Sequence, residues 1–286
     1  MKLALGSAQF GLNYGISNNS GVVKLNEIKK IISYAKKNEV NYIDTASTYG
    51  DSQKKLGKIN LSKFQVIAKL PKLPKDIKKN KINSWIESKL KSYLDDLKIK
   101  NFYAILIHNP DDLLSKSGNI IFNKLRVLKK KKFFLKIGVA VYTTTQLENI
   151  LKKFKLDLIN FPFSVGNTKF LNNNFLSLIK KKKIEIHIRS IFMQGLLLIK
   201  KKGRIPKKLK NTKFLENWYM FLKKNKINSL EGCIHFIKLR KEFNVVTIGV
   251  ENLNQFKQII KIFNEDKIID YPKMFNQFKY SNISKW

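Results

Sequence analysis

The sequence predicts a single-domain α/β protein, a (β/α)8 TIM barrel of eight parallel strands spanning residues 1–286. Three observations point there. Eight short runs rich in Ile, Val and Leu recur along the chain at roughly the spacing of a βα unit, as suits strands covered on both faces. Between most of them lie stretches whose apolar residues repeat at helical spacing. Polar and reactive residues stand at the ends of the runs, and a β/α barrel gathers its strand-end residues at one rim.

The first strand is read at 3–5. A helix over 24–38 follows, with Ile28, Ile31, Ile32 and Ala35 on one face, and then a strand over 41–45 that contains Asp44. The third strand, 64–70, is stopped by Pro71 and Pro74. A long helix over 83–97 carries Trp85, Ile86, Leu90, Tyr93, Leu94 and Leu97 as its buried stripe. Strand four, 102–107, is broken by His108, Asn109 and Pro110, and a helix over 119–132 presents Ile121, Leu125 and Leu128. Strand five is read at 136–141, with Thr144 or Thr145 capping the helix that carries Leu147, Ile150, Leu151 and Phe154. The last strands are 156–161, 184–188 and 245–248, with helices at 175–182, 229–242 and 253–263. No stretch has the composition of an interdomain linker. From about 265 onward lies a possible rim segment with spaced aromatics (Tyr271, Phe275, Phe278, Tyr280, Trp286), which either crosses the barrel rim or packs on the outer helices.

An apolar content of 43% over 286 residues supports a sizeable core. The one cysteine, Cys233, sits in the apolar stretch LEGCIHFIKLR and is read as a buried structural residue; one cysteine fits a reducing compartment. The opening MKLALGSAQFGLNYG meets glycines before a signal-peptide core can form. No run approaches the roughly 20 apolar residues that span a bilayer. A soluble cytoplasmic protein with no membrane partner is expected.

The formal net charge of +37, from 57 basic and 20 acidic residues, invites a nucleic-acid or anionic-membrane reading. Two details weigh against it. Arginine stands only at 126, 189, 204 and 240, whereas base-edge readout favours arginine forks. The lysine runs 129–132, 180–183 and 200–202 follow apolar segments, as expected for helix C-termini and solvent faces. The charge is read as part of a general enrichment in Lys, Asn and Ile, with no specific nucleic-acid partner.

Four strand-end residues carry the chemical signal: Asp44 closing strand two, Tyr49 on the loop after it, Lys69 near the end of strand three, and His108 after strand four. A phenol of pKa near 10 is a poor proton donor at neutral pH unless a nearby ammonium favours its ionised form. Lys69 can supply that ammonium, Asp44 can hold it, and His108 can donate a hydrogen bond to a substrate oxygen. Each has a bland alternative: a turn cap for Asp44, an amphipathic wall for Tyr49, solvation for Lys69, a turn contact for His108. Their coincidence on adjacent strand ends favours shared chemistry.

With these residues in place, the sequence resembles the aldo/keto reductase family. The segments LGSAQFGLNYG, YIDTASTYGDSQKKLG, AKL, LIHNP, KIGVAVY, NFPFS, RSIFMQGLL and VVTIGVENLNQF occur in the family's order, from about residue 2 to 262. The resemblance implies a β/α barrel that reduces an aldehyde or ketone by hydride transfer from NADPH, or alternatively NADH, without a metal. It implies a catalytic tetrad of Asp44, Tyr49, Lys69 and His108, with Tyr49 as proton donor. By the same analogy Gly6, Ser7, Ala8 and Asp44 line the first strand ends beside the cofactor. Arg189, Ser190, Phe192, Gln194 and Gly195 surround its pyrophosphate, and Gly249, Val250, Glu251 and Asn252 form the last strand-end loop.

Departures from the family pattern matter. Ala140 and Val141 stand where Ser-Asn commonly holds the nicotinamide amide, and Asn160 replaces a longer Gln. Gln255 aligns with the arginine that often clamps the 2′-phosphate, and Glu251 adds negative charge there, so the unphosphorylated cofactor becomes credible. The alternative to a reductase is a barrel that binds nicotinamide without catalysis and serves regulation or a protein partner. Segments 109–118 and 162–171 are expected to shape the pocket for a small carbonyl compound. Tyr14, Phe163 and Phe170 would stack on a sugar or small aromatic. The opening resembles family members associated with surface-sugar biosynthesis, which suggests a sugar-linked keto group.

Overall fold

The computed structural model describes residues 1–171, 173–199, 205–209 and 212–272. Its eight parallel strands close in sequential order. They are β1 (Lys2–Gly6), β2 (Tyr42–Asp44), β3 (Gln65–Leu70), β4 (Phe102–Ile107), β5 (Phe134–Ala140), β6 (Leu158–Pro162), β7 (Glu185–Arg189) and β8 (Val245–Gly249). The barrel closes where Lys2 to Gly6 run in register with Val245 to Gly249. The helices are α1 (Ala8–Gly11), α2 (Leu25–Lys37), α3 (Ser52–Leu56), α4 (Ile82–Leu97), α5 (Asp111–Leu114), α6 (Gly118–Lys130), α7 (Thr144–Leu151), α8 (Asn173–Lys181), α9 (Lys213–Lys224), α10 (Ser229–Lys238) and α11 (Leu253–Asn264).

The apolar pattern divides into two cores, as a barrel requires. Ala4, Tyr42, Ile67, Ala104, Leu106, Leu158 and Val245 fill the interior, while a larger cluster joins the outer strand faces to the helices. In α4 the buried stripe is Ile82, Ile86, Leu90, Tyr93 and Leu97, and each fully buried large aliphatic contributes about 1.5–3 kcal/mol. Lys98 ends that helix in the left-handed region, at φ 53°.

Element boundaries differ from the expectations at identifiable points. The cap of α7 is Thr143, whose hydroxyl accepts from the Gln146 amide at 3.2 Å; neither Thr144 nor Thr145 takes this role. Phe154 lies beyond that helix yet is buried. The helix expected to reach 242 ends at Lys238, and α9 was not anticipated. Its signal was present: Phe214, Leu215, Trp218, Phe221 and Leu222 share one buried face, and the Trp218 indole N–H donates to the Leu197 carbonyl at 3.3 Å.

The N-terminal end of the barrel is stitched by polar contacts that sequence patterning did not reveal. Glu185 accepts from the Tyr103 hydroxyl at 2.7 and 3.0 Å, pairs with Lys136, and lies 2.9 Å from the His187 ring. Burial alone would raise this carboxyl, but contacts to His187, Lys136 and Tyr103 bring it to about 2. Residues at this end of a barrel belong to stability rather than chemistry.

The lysine runs 129–132 and 180–183 occupy the last turns of α6 and α8 and the turns after them, at this same end, where cations complement the helix dipole. The run 200–202 and Arg204 lie outside the described residues. Cys233 is buried, and burial pushes its thiol far above the ordinary range. The segment after α11 turns back onto the outer helices: Tyr271 meets Phe221 at a tilt and Phe236 edge-to-face, and donates to the Gly232 carbonyl at 2.6 Å. The tail aromatics from Phe275 onward fall outside the described residues. No helix among the described residues is long and apolar enough to cross a membrane.

Candidate active site

At the C-terminal rim, backbone hydrogen bonds join the ends of neighbouring strands from β1 to β4 and from β5 to β7. Ser7 N–H donates to Asp44 at 3.0 Å, Thr45 to Ile67 at 2.9 Å, and His108 to Leu70 at 3.0 Å. Val141 donates to Asn160 and Phe163 to Arg189, both at 2.9 Å. This register brings Asp44, Tyr49, Lys69 and His108, which span 65 positions of sequence, into the wall of one cavity of about 930 Å³.

Tyr49 lies on the loop after β2, and that loop is held from three sides. The Tyr93 hydroxyl donates to Ser47 Oγ at 2.8 Å, and Ser52 Oγ donates to the Ser7 carbonyl at 2.9 Å. Gly11 passes so close that a Cβ there would collide with the Tyr49 carbonyl oxygen. The neighbouring Gly50 takes φ +56°, a left-handed conformation that glycine adopts at little cost.

Lys69 is only 2% exposed. Its Nζ donates to Asp44 Oδ1 and lies 3.2 Å from the Tyr49 hydroxyl. Burial opposes the charge on Lys69, but Asp44 and then Tyr49 outweigh it and raise the amine above its ordinary value. The residue is therefore an ammonium at any physiological pH. Tyr14 also lines the cavity, but burial pushes its phenol up, with Tyr49 adding to the effect, so it is the poorer donor.

His108 is half-buried on the cavity wall. Desolvation, followed by the Lys69 and Arg189 cations, lowers its imidazole to about 4 against a partial opposing effect of Asp44. A neutral ring offers one N–H donor and one acceptor. The unfolded chain takes up this proton near 6.5 and the folded one near 4. In that interval the unfolded state binds more protons, so the His108 contribution is complete above 6.5 and drains as pH falls toward 4. Urea midpoints should therefore fall less steeply over this window in His108→Gln than in the wild type. Equal slopes would contradict a neutral imidazole.

The residues expected to surround a cofactor divide into two groups. Gly6, Ala8, Asp44, Arg189, Ser190, Phe192, Gln194, Gly195, Gly249, Glu251 and Gln255 line the cavity. Ser7, Asn160, Val250 and Asn252 stand behind its wall. Ser7 and Asn160 are fully buried, Val250 is 1% exposed, and Asn252 caps α11 by accepting from the Gln255 amide at 2.9 Å. Ser190 (φ 60°), Met193 (φ 51°), Gln194 (φ 54°) and Gly195 (φ 92°) are left-handed, a strained run of the kind that clusters at ligand sites. The loop after β1 crosses this run, with Ile16 N–H donating to the Gln194 carbonyl at 2.9 Å.

Phe163 and Phe170 do not reach the pocket. Both are fully buried, stacked on Phe236 and Phe161 respectively, because the β6 loop folds back into the outer core. Tyr142 was missed, although it follows β5 at the rim and lines the cavity beneath the Arg189 guanidinium, 4.6 Å from its ring centroid. Its place one residue past a buried strand end was the available signal. Gln9 of α1, and Ser17 and Asn19 of the loop that follows it, are also in the wall and carried no spacing pattern.

A parallel eight-stranded barrel with an ionic and phenolic cluster at its strand C-termini has the architecture of a barrel enzyme. The family model described as the aldo/keto reductase family matches residues 2–273, and the chain belongs to that family of oxidoreductases. Among solved structures, an aldo-keto reductase of Bacillus halodurans in its holo form superposes with a TM-score of 0.73 at 15% identity, over 99% of this chain and 91% of that one. A glycerol dehydrogenase of Gluconobacter oxydans gives 0.68 at 17% identity, over 93% and 87%. At such identities these likenesses speak for the fold. No curated protein matches the chain significantly.

Proposed function

We propose that this protein reduces an aldehyde or ketone to an alcohol with a reduced nicotinamide cofactor. The observation that carries the reading is the Asp44–Lys69–Tyr49 chain, a buried ion pair whose ammonium reaches a phenol on the cavity wall. The nicotinamide, when bound, supplies a hydride to the carbonyl carbon. The protein's own residues do the rest. Tyr49 gives its hydroxyl proton to the carbonyl oxygen as negative charge develops there, and Lys69 stabilises the phenolate left behind. Asp44 fixes Lys69, and His108 orients the oxygen through a neutral N–H.

The cavity fits a dinucleotide in size and lining. It runs from Tyr49 past the close-packed Gly6 and Gly249 and the left-handed Gln194–Gly195 to the first turn of α10 and the length of α11. Ala140 and Val141 are buried and apolar, and they offer no side-chain partner to a carboxamide. The side chain of Gln255 accepts from the Glu251 amide at 2.9 Å, and Glu251, whose carboxylate accepts from the Asn19 amide at 3.4 Å, lines the cavity. Negative charge at that point supports NADH over NADPH.

Titration calorimetry with both cofactors, followed by a carbonyl panel, tests this reading. NADH is expected to bind the more tightly, and a clear preference for NADPH would assign the phosphate to Lys261, the lysine on the same wall. Cofactor binding with no turnover of any carbonyl would favour the non-catalytic barrel.

A further inference from the structure

Arg189, the last residue of β7, is fixed by two contacts. Its Nε donates to Asn160 Oδ1 at 2.8 Å, and its guanidinium lies over the Tyr142 ring. Two buried donors remain without partners, Arg189 Nη2 and Asn160 Nδ2. Among the described residues no carboxylate pairs with Arg189, and the nearby acid of the candidate tetrad, Asp44, is engaged by Lys69. The guanidinium thus keeps a buried donor that no described side chain engages, and a bound anion would supply its acceptor. A carboxylate or phosphate, an acceptor with no proton to give, completes such a site.

We propose that Arg189 is a specificity-determining residue that receives an anionic group of the substrate, so that the substrates are carbonyl compounds bearing a carboxylate or phosphate. The inference rests on reading the cavity as a carbonyl-reduction site. Asn160 and Tyr142 act through Arg189: one holds the rotation of the guanidinium and the other its plane. Both are positioning residues. The guanidinium and Tyr49 line the same cavity, so one small molecule can meet both.

Matched substrates test this: 4-carboxybenzaldehyde against benzaldehyde, and glyceraldehyde 3-phosphate against glyceraldehyde. The wild type should favour the charged partner in kcat/KM by about 10–100-fold, the range of a hydrogen bond to a charged group. Arg189→Met should collapse that ratio, mainly through KM, and Arg189→Lys should restore part of it. The two pairs separate a carboxylate from a phosphate preference. A wild-type ratio near one overturns the proposal, as does an unchanged ratio in Arg189→Met. Weaker NADH binding in Arg189→Met with the ratio intact would give the guanidinium to the cofactor instead.

Benzoate binding by calorimetry needs no turnover. The wild type should bind benzoate at least tenfold more tightly than Arg189→Met does, and benzamide should show no such difference. Absent benzoate binding overturns the anion subsite. Benzoate binding with no reduction of any aldehyde would instead overturn the reductase reading and leave the anion subsite standing.

Discussion

Tyr49→Phe is expected to lower kcat for carbonyl reduction by roughly 10²–10⁴-fold, the usual contribution of a positioned general acid. Loss of one oxygen removes the proton donor while the ring keeps its volume. The half-buried loop should hold, because it is anchored by the Tyr93–Ser47 and Ser52–Ser7 hydrogen bonds and by the close passage of Gly11, none of which involves the phenol oxygen. Cofactor affinity measured by fluorescence quenching should change little. Unchanged turnover would exclude Tyr49 as the acid and direct attention to Tyr14 or Tyr142, the other phenols of the cavity.

Lys69→Met should be the most damaging change to stability and activity together. Lys69 and Asp44 are 2% and 3% exposed, and Asp44 Oδ2 already lacks a partner. Removing the ammonium leaves a buried carboxylate uncompensated, a loss of about 3–5 kcal/mol. For a chain of this size that corresponds to a thermal midpoint lower by roughly 10 °C. Catalysis should fall with it, since the phenolate formed on proton transfer loses its neighbouring cation. The double variant Asp44→Asn with Lys69→Met separates the two effects. It should regain stability and not activity. A single variant with wild-type stability and turnover would contradict both roles of Lys69.

The fold was legible because strand and helix alternation is written in apolar spacing, and the lone sharp stops, Pro71 and the His108–Asn109–Pro110 turn, fall where strands end. Boundaries were read less well where the signal is a cap rather than a stripe: the cap of α7 was expected at Thr144 or Thr145, and backbone geometry selects the neighbouring Thr143. The four-residue constellation could be assembled because its members sit on neighbouring strands, so sequence order maps directly onto position around the rim. Side chains that act through tertiary packing were not legible in this way. Phe163 and Phe170 look like pocket aromatics in the chain, yet the β6 loop turns them into the core. Arg189, the first residue of RSIFMQG, entered only by resemblance as a neighbour of the cofactor pyrophosphate; its contacts to Asn160 of β6 and to Tyr142 just past β5 join segments that no local pattern connects. The buried Glu185 cluster was invisible for the same reason: Tyr103, Lys136 and His187 meet only because the barrel closes.

Direct transfer of hydride to a carbonyl carbon opposite the Tyr49 phenol is the central claim. It is tested by incubating the protein with reduced nicotinamide deuterated at the transferable position of C4 and analysing the alcohol by mass spectrometry. Wild-type product should carry deuterium on the carbinol carbon, and its formation should be strongly slowed in Tyr49→Phe. Alcohol formed without that label would contradict it, as would a cofactor that binds tightly yet reduces no carbonyl compound, charged or neutral.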